Sequence, residues 1–180
     1  FMNDHEIEQF ILTYGCDILR FCRMTAGGSE AGDDLYQDTM LKLTEKKQTL
    51  LLGPHTKSYA LSTALFLWKN SRRKYAARNR ILPMESVEAL EDTGWQCPAQ
   101  ASVISPEQEL LQQNELETVR GVVAALPEKY KLPVYLFYSA DMRISEIAEI
   151  LHIPEGTVKT RLRKAKNLLK ARLEALGYER

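Results

Sequence analysis

The sequence lacks most of what a catalytic or metal-binding protein needs. Three cysteines stand far apart, at positions 16, 22 and 97. They make no metal-type pair and leave an odd number, so reduced thiols buried as small hydrophobes are expected. The three histidines, His5, His55 and His152, are scattered over a terminus, an expected loop and an expected turn. Neither a phosphate-cradling glycine loop nor a nucleophile elbow occurs, so catalysis, a metal and a cofactor are not expected. No apolar run approaches the ~18 residues of a membrane span. Nothing resembling a signal peptide precedes the first helical segment, so a cytoplasmic protein is expected. Strand-type alternation and internal repeats are also missing, which makes the chain all-α by pattern. A net charge of one sign is absent too: 24 Lys and Arg balance 24 Asp and Glu over 180 residues. Phe1, ahead of Met2, is left out of the reading.

What is present is segregation of that charge. Lys69 to Arg80 holds six basic residues and no acid, whereas Ile81 to Val119 holds eight acids and no Lys or Arg. Lys159 to Arg172 then holds seven basic residues and no acid. Such blocks imply separate surfaces for separate partners.

Apolar periodicity predicts a helix over 4–26, with Ile7, Phe10, Ile11, Tyr14, Ile18, Leu19 and Cys22 on one face, stopped at Gly27-Gly28-Ser29. A second helix is predicted from Asp33 to about Lys47, with Leu35, Thr39, Met40 and Leu43 inward. A loop over 48–58 around Gly53-Pro54 precedes a third helix over 58–78, where Leu61, Ala64, Leu65 and Trp68 share a face. Residues 83–105 read as a flexible acidic linker, broken by Pro83, Gly94 and Pro98. Pro106 suits a helix start, and a further helix covers 129–139 with Pro133 in its first turn or kinking it. Over 144–172 two helices flank a tight turn at His152-Ile153, with Ser145 as N-cap of the first and Pro154 opening the second. Val158, Leu162, Ala165, Leu169 and Leu176 give the second helix a core face; Lys159, Arg163, Lys166 and Lys170 run beside it. This is a helix-turn-helix whose second helix suits the major groove.

At this point the residues carry a resemblance. LPEKYKLPVYLFYSADMRISEIAEILHIPEGTVKTRLRKAKNLLK (126–170) resembles the promoter-reading C-terminal domain of bacterial RNA polymerase sigma factors. DDLYQDTMLKL (33–43) resembles the polymerase-binding helix of the small two-domain, extracytoplasmic-function group. The resemblance implies two small helical domains, 2–82 and 106–180, joined by the linker 83–105. It implies a protein that binds core RNA polymerase, directs it to promoter DNA and helps to open the duplex.

Carried across residue by residue, Asp34, Leu35, Gln37, Asp38 and Leu41 match the helix that meets the clamp coiled coil of the largest polymerase subunit. His55, Thr56, Lys57, Ser58 and Tyr59 match the loop that captures a flipped base of the minus-10 element. Lys69, Arg72, Arg73 and Arg78 match phosphate contacts beside it. Thr157, Lys159, Thr160, Arg161, Arg163, Lys164, Lys166 and Lys170 match the minus-35 reader. Of these, Lys159, Thr160 and Arg163 are assigned to base edges, and Arg161, Lys164, Lys166 and Lys170 to phosphates. One departure stands out: many members have Asn in an Ile-Ala-x-Asn pattern where this chain has Thr63-Ala64-Leu65-Phe66. The resemblance further implies an anti-sigma protein as partner, for which the linker and Val134, Leu136 and Phe137 offer a surface. The residues alone leave a second reading open, a free-standing helix-turn-helix regulator with an N-terminal ligand or dimerisation domain.

Overall fold

A computed structural model describes residues 3–46, 54–79 and 106–178. Among them are seven α-helices and no strand. The chain divides into two compact units, Phe1–Trp95 and Gln96–Arg180. The expected linker 83–105, including Trp95 and Cys97, lies outside the described residues.

The first unit packs α1 (Asp4–Ala26), α2 (Ser29–Glu45) and α3 (Pro54–Asn79) against one another. The ends of α1 are fixed locally. Asn3 Oδ1 accepts from the Glu6 N–H at 2.9 Å, and Glu6 Oε2 accepts from the Asn3 N–H at 2.7 Å, a reciprocal N-terminal cap. Gly27 closes the helix at φ 80°, a left-handed position that suits glycine. Phe10, Ile18, Phe21, Leu61 and Leu65 are fully buried at the centre of the unit. Each such side chain contributes about 1.5–3 kcal/mol by leaving water.

Two helix starts differ from the sequence expectation. Helix α2 begins at Ser29 rather than Asp33, and the reason is Gly32. Glycine inside a helix costs about 1 kcal/mol against alanine and reads as a break. Here it lets α2 lie directly on α1: a Cβ at Gly32 would overlap the backbone of Arg23. Beside that contact Arg23 Nε donates to Asp33 Oδ1 at 2.6 Å and Arg23 Nη2 to Asp33 Oδ2 at 2.9 Å. The hydrogen bond from Arg23, helped by its charge, holds the Asp33 carboxyl below the usual range. Helix α3 begins at Pro54 rather than near Ser58, because proline is well placed in a first turn, where its missing N–H needs no partner.

Of the two described cysteines, one departs from expectation and Cys22 does not. Cys16 is disulfide-bonded, a pairing that cysteine spacing alone does not reveal. Cys22 is a free, buried thiol. Burial pushes its pKa up to about 12, against the opposing pull of a hydrogen bond with Thr39.

In the second unit α4 (Pro106–Ala124), α5 (Glu128–Tyr138) and α6 (Ile144–Leu151) gather around α7 (Glu155–Ala175). Leu126, Val134 and Ala165 form a shared core, with Val123, Tyr130, Leu162 and Leu169 packed on it. Pro133 sits in the second turn of α5 with its ring buried. The cap of α6 is Arg143, not Ser145: Glu146 Oε2 reaches back to accept from the Arg143 N–H at 2.8 Å. Pro154 is the N-cap of α7, one place ahead of the first helical residue. Leu176, expected in the core, lies past the end of α7 and is exposed.

Helix α6 ends at His152, at φ 53° and ψ 49°. The Ile153 N–H donates to the Ala148 carbonyl at 3.0 Å, and the His152 N–H donates to the Glu149 carbonyl at 3.2 Å. This closure normally employs glycine, since a Cβ is disfavoured in the left-handed region. His152→Gly should therefore stabilise the C-terminal unit by about 1 kcal/mol, read as a higher midpoint in thermal denaturation. A lowered midpoint would show that the imidazole contributes more than its backbone geometry costs.

Candidate nucleic-acid interface

The turn at His152-Ile153 sets α7 against α6 so that Val158 and Ala165 are buried while the opposite side of α7 faces water. Lys159, Thr160, Arg163, Lys164, Lys166 and Lys170 are all exposed, and Thr157 and Arg161 are half-buried. Thr160 Oγ1 donates to the Gly156 carbonyl at 2.9 Å, so its hydroxyl is turned back along the helix. Lys159, Arg161, Arg163, Lys164 and Lys166 make no ion pair among the described residues. Lys170 lies 3.6 Å from Glu174 on the open surface. A helix following a tight turn, with at least five unpaired cations along it, can enter a major groove and engage phosphates.

The first unit carries a second basic surface. Over Pro54–Asn79, α3 contains no Asp or Glu. Lys69, Arg72 and Arg73 are exposed on its C-terminal half, and the Arg78 backbone belongs to the same helix. The N-terminal half corrects the sequence expectation. His55, Thr56, Lys57, Ser58 and Tyr59 are helical rather than a capture loop. Thr56 is buried, and the hydroxyl of Ser58 is buried without a hydrogen-bond partner. The Lys57 side chain is 12% exposed and donates to Asp17 Oδ2 at 2.8 Å. Its Nζ also lies 5.3 Å from the centre of the Tyr14 ring. Thr56, Lys57 and Ser58 therefore point inward, and Lys57 fastens α3 to α1 through Asp17. His55 is exposed; Tyr59 is half-buried, with Lys46 Nζ 5.8 Å over its ring.

Helix α2 presents an acidic surface opposite the core. Asp34, Gln37, Asp38 and Leu41 are exposed, Leu41 by 59%. Leu35 is buried at 6% exposure and leaves this set, since its helical position puts it with Thr39 and Leu43. Two neighbouring acids are engaged: Asp33 by Arg23, and Glu45 by Lys42 at 2.7 Å. Asp34 and Asp38 have no ion pair among the described residues, so their charge is open to a cationic partner.

Val134 and Leu136 cannot form an exposed partner surface: both are buried in the core of the second unit. Phe137 is half-buried and packs edge-on against the exposed Tyr138. No group of three or more His, Cys, Asp or Glu among the described residues is placed to hold a metal ion. No described helix is long and apolar enough to cross a membrane.

Comparison with known proteins agrees with this layout. The family model "Sigma-70, region 4" matches residues 116–169, which span the end of α4, all of α5 and α6, and most of α7. The ECF RNA polymerase sigma factor SigW of Bacillus subtilis (strain 168) is 34% identical over 76 residues. Residues 116–169 of the chain are thus similar to sigma-70 region 4, and a stretch of 76 residues is similar to an extracytoplasmic-function sigma factor. The stretch aligned with SigW is 42% of this chain and 41% of that relative, so the chain spans less than half the length of the curated relative it matches. The chain is similar in fold to two solved proteins. The sigma factor RpoE, solved with the anti-sigma factor NepR from Bartonella quintana, superposes at TM-score 0.70 with 18% identity, over 96% of this chain and 98% of that one. CnrH, solved with the cytosolic domain of CnrY, superposes at TM-score 0.62 with 17% identity, over 96% and 90%. The residues matched by the region 4 model contain α6, the turn and α7 as far as Leu169, with Lys159, Arg163 and Lys166 of the exposed basic stripe.

Proposed function

We propose that this chain is a transcription initiation factor that binds core RNA polymerase, directs it to promoters and assists DNA opening. The observation that carries the reading is the exposed cation stripe of α7, set by a helix-turn-helix that falls within the family match as far as Leu169. In this reading residues 2–82 bind polymerase and the minus-10 region, 83–105 link, and 106–180 bind the minus-35 region. Lys159, Thr160 and Arg163 meet base edges near the start of α7. Arg161, Lys164, Lys166 and Lys170 meet phosphates. In the first unit Lys69, Arg72, Arg73 and Arg78 track the minus-10 backbone, with His55 and Tyr59 the N-terminal residues of α3 that remain toward solvent. Asp34, Gln37, Asp38 and Leu41 meet the clamp coiled coil of the largest polymerase subunit. The polymerase supplies the chemistry, and the factor acts in the cytoplasm.

Regulation by an inhibitory protein fits the same reading, since RpoE was solved with an anti-sigma factor. The surface for such a partner excludes Val134 and Leu136, for the burial given above.

Binding to core polymerase tests the docking face. Replacing Asp34 and Asp38 together with lysine puts like charge against a basic partner and should weaken capture of core polymerase tenfold or more, a change of about 1.4 kcal/mol or above. Unchanged capture would remove α2 from the interface. A free-standing regulator has no need of core polymerase, so failure of the unaltered chain to bind it would favour that alternative.

A further inference from the structure

Cys16 is half-buried in α1 and disulfide-bonded. The chain has three cysteines and Cys22 is a free, buried thiol, so Cys97 is the one that can complete the bond. Leu12 stands one helical turn before Cys16 on the same side of α1 and is 85% exposed. Side chains at that spacing on a helix are about 6 Å apart. Trp95 stands two residues before Cys97 and is the large apolar side chain nearest to it in sequence. In an extended chain, residues two apart point to one side at a separation of about 7 Å. Pro98 disfavours helical backbone at the residue before it, which is Cys97. The two spacings therefore match.

We propose that Cys16 and Cys97 form a reversible redox anchor, which docks the linker segment 95–97 on the outer side of α1 with Trp95 over Leu12. Its consequence for promoter choice rests on the initiation-factor reading given above. In a reducing cytoplasm a disulfide is usually transient and senses redox state. Two glutathione thiols break the S–S bond by exchange: Cys16 and Cys97 each gain a proton, and glutathione disulfide is left. The reverse exchange restores the bond and returns two glutathione thiols. Trp95 covers Leu12 and removes apolar surface of both from water, which favours the bonded state over one held by sulfur alone. Fastened at Cys97, the linker leaves only 98–105 free, a reach of roughly 27 Å in place of roughly 80 Å for 83–105. The oxidised chain therefore serves a narrower range of minus-10 to minus-35 spacings than the reduced chain.

Peptide mapping of the full chain, equilibrated in glutathione buffers from reducing to oxidising, tests this. A peptide pair joining Cys16 to Cys97 within a monomer should appear as the buffer becomes oxidising and vanish on reduction. A bond between two copies, or no such pair in any buffer, overturns the proposal. Leu12→Asp changes an exposed side chain and should lower the equilibrium constant for the bond about fivefold, as should Trp95→Ala. Unchanged constants in both variants overturn the docking on Leu12. Run-off transcription with core polymerase, on templates of stepped minus-10 to minus-35 spacing, reads the consequence. The oxidised chain should lose transcripts at the extreme spacings that the reduced chain keeps, and Cys97→Ser should match the reduced chain in either buffer. Equal transcript sets in both redox states overturn the shortened tether. Failure of the reduced chain to direct any transcript counts against the initiation-factor reading, while the peptide map decides the anchor by itself.

Discussion

Replacing Arg161, Lys164, Lys166 and Lys170 together with alanine should flatten the salt dependence of promoter binding by about 3 to 4 in log–log slope. Each phosphate contact contributes about 0.9 to that slope through counterion release. Between about 50 and 200 mM salt the unaltered protein should therefore lose about a hundredfold more affinity than the variant. The helix itself should survive: three of the four side chains are exposed, Arg161 is half-buried, and alanine is a good helix former. Lys170 is the member expected to contribute least, since Glu174 at 3.6 Å already shares its charge. Arg163→Ala alone should behave differently, changing which minus-35 sequences are preferred, because a bidentate bond to a base edge gives about 1–3 kcal/mol of discrimination. An identical loss on every sequence of a promoter panel would move Arg163 to the phosphate group.

The second large effect is expected at Gly32. Gly32→Ala gains about 1 kcal/mol in helix propensity, yet its Cβ would overlap the Arg23 backbone, which cannot swing aside as a side chain can. Separating α1 from α2 loosens the core around Leu35 and Thr39 and disturbs the Arg23–Asp33 pair, a loss of about 3 kcal/mol. The sum is destabilising by about 2 kcal/mol, and core-polymerase capture should decline with it because the proposed docking face lies on α2. Gly121→Ala supplies the contrast. A Cβ there meets nothing within 4 Å, so the same substitution in α4 should stabilise by about 0.5–1 kcal/mol. Denaturant titration of the two variants should move the midpoints in opposite directions. A stabilised Gly32→Ala would mean that the two helices separate at little cost.

The α7 stripe and Gly32 differ in how far the sequence discloses them. The stripe is legible because it is local: a turn, a proline and a charge at every third or fourth position fix a helix and its faces without knowledge of the rest. The ends of α1 are legible for the same reason, since Asn3, Glu6 and Gly27 act within a few residues of themselves. The start of α2 is not, because Gly32 answers to Arg23 on another helix. Lys57 is misassigned likewise: a lysine near an expected loop looks available until Asp17, forty residues away in sequence, appears beside it. Leu35 can be sorted by period alone, since it falls in register with Thr39 and Leu43. Val134 and Leu136 have no such signal: a short helix with apolar residues on several sides does not disclose which side is covered. The expected boundaries of the linker fall at residues outside those described and stand as part of the proposed organisation.

The most direct measurement is run-off transcription by purified core RNA polymerase on a genomic promoter library, with and without this chain. Transcripts should start at a defined set of promoters only when the chain is present. That stimulation should be lost with Asp34 and Asp38 both changed to lysine. Stable association with core polymerase but no promoter-dependent transcript from any template would contradict an initiation role.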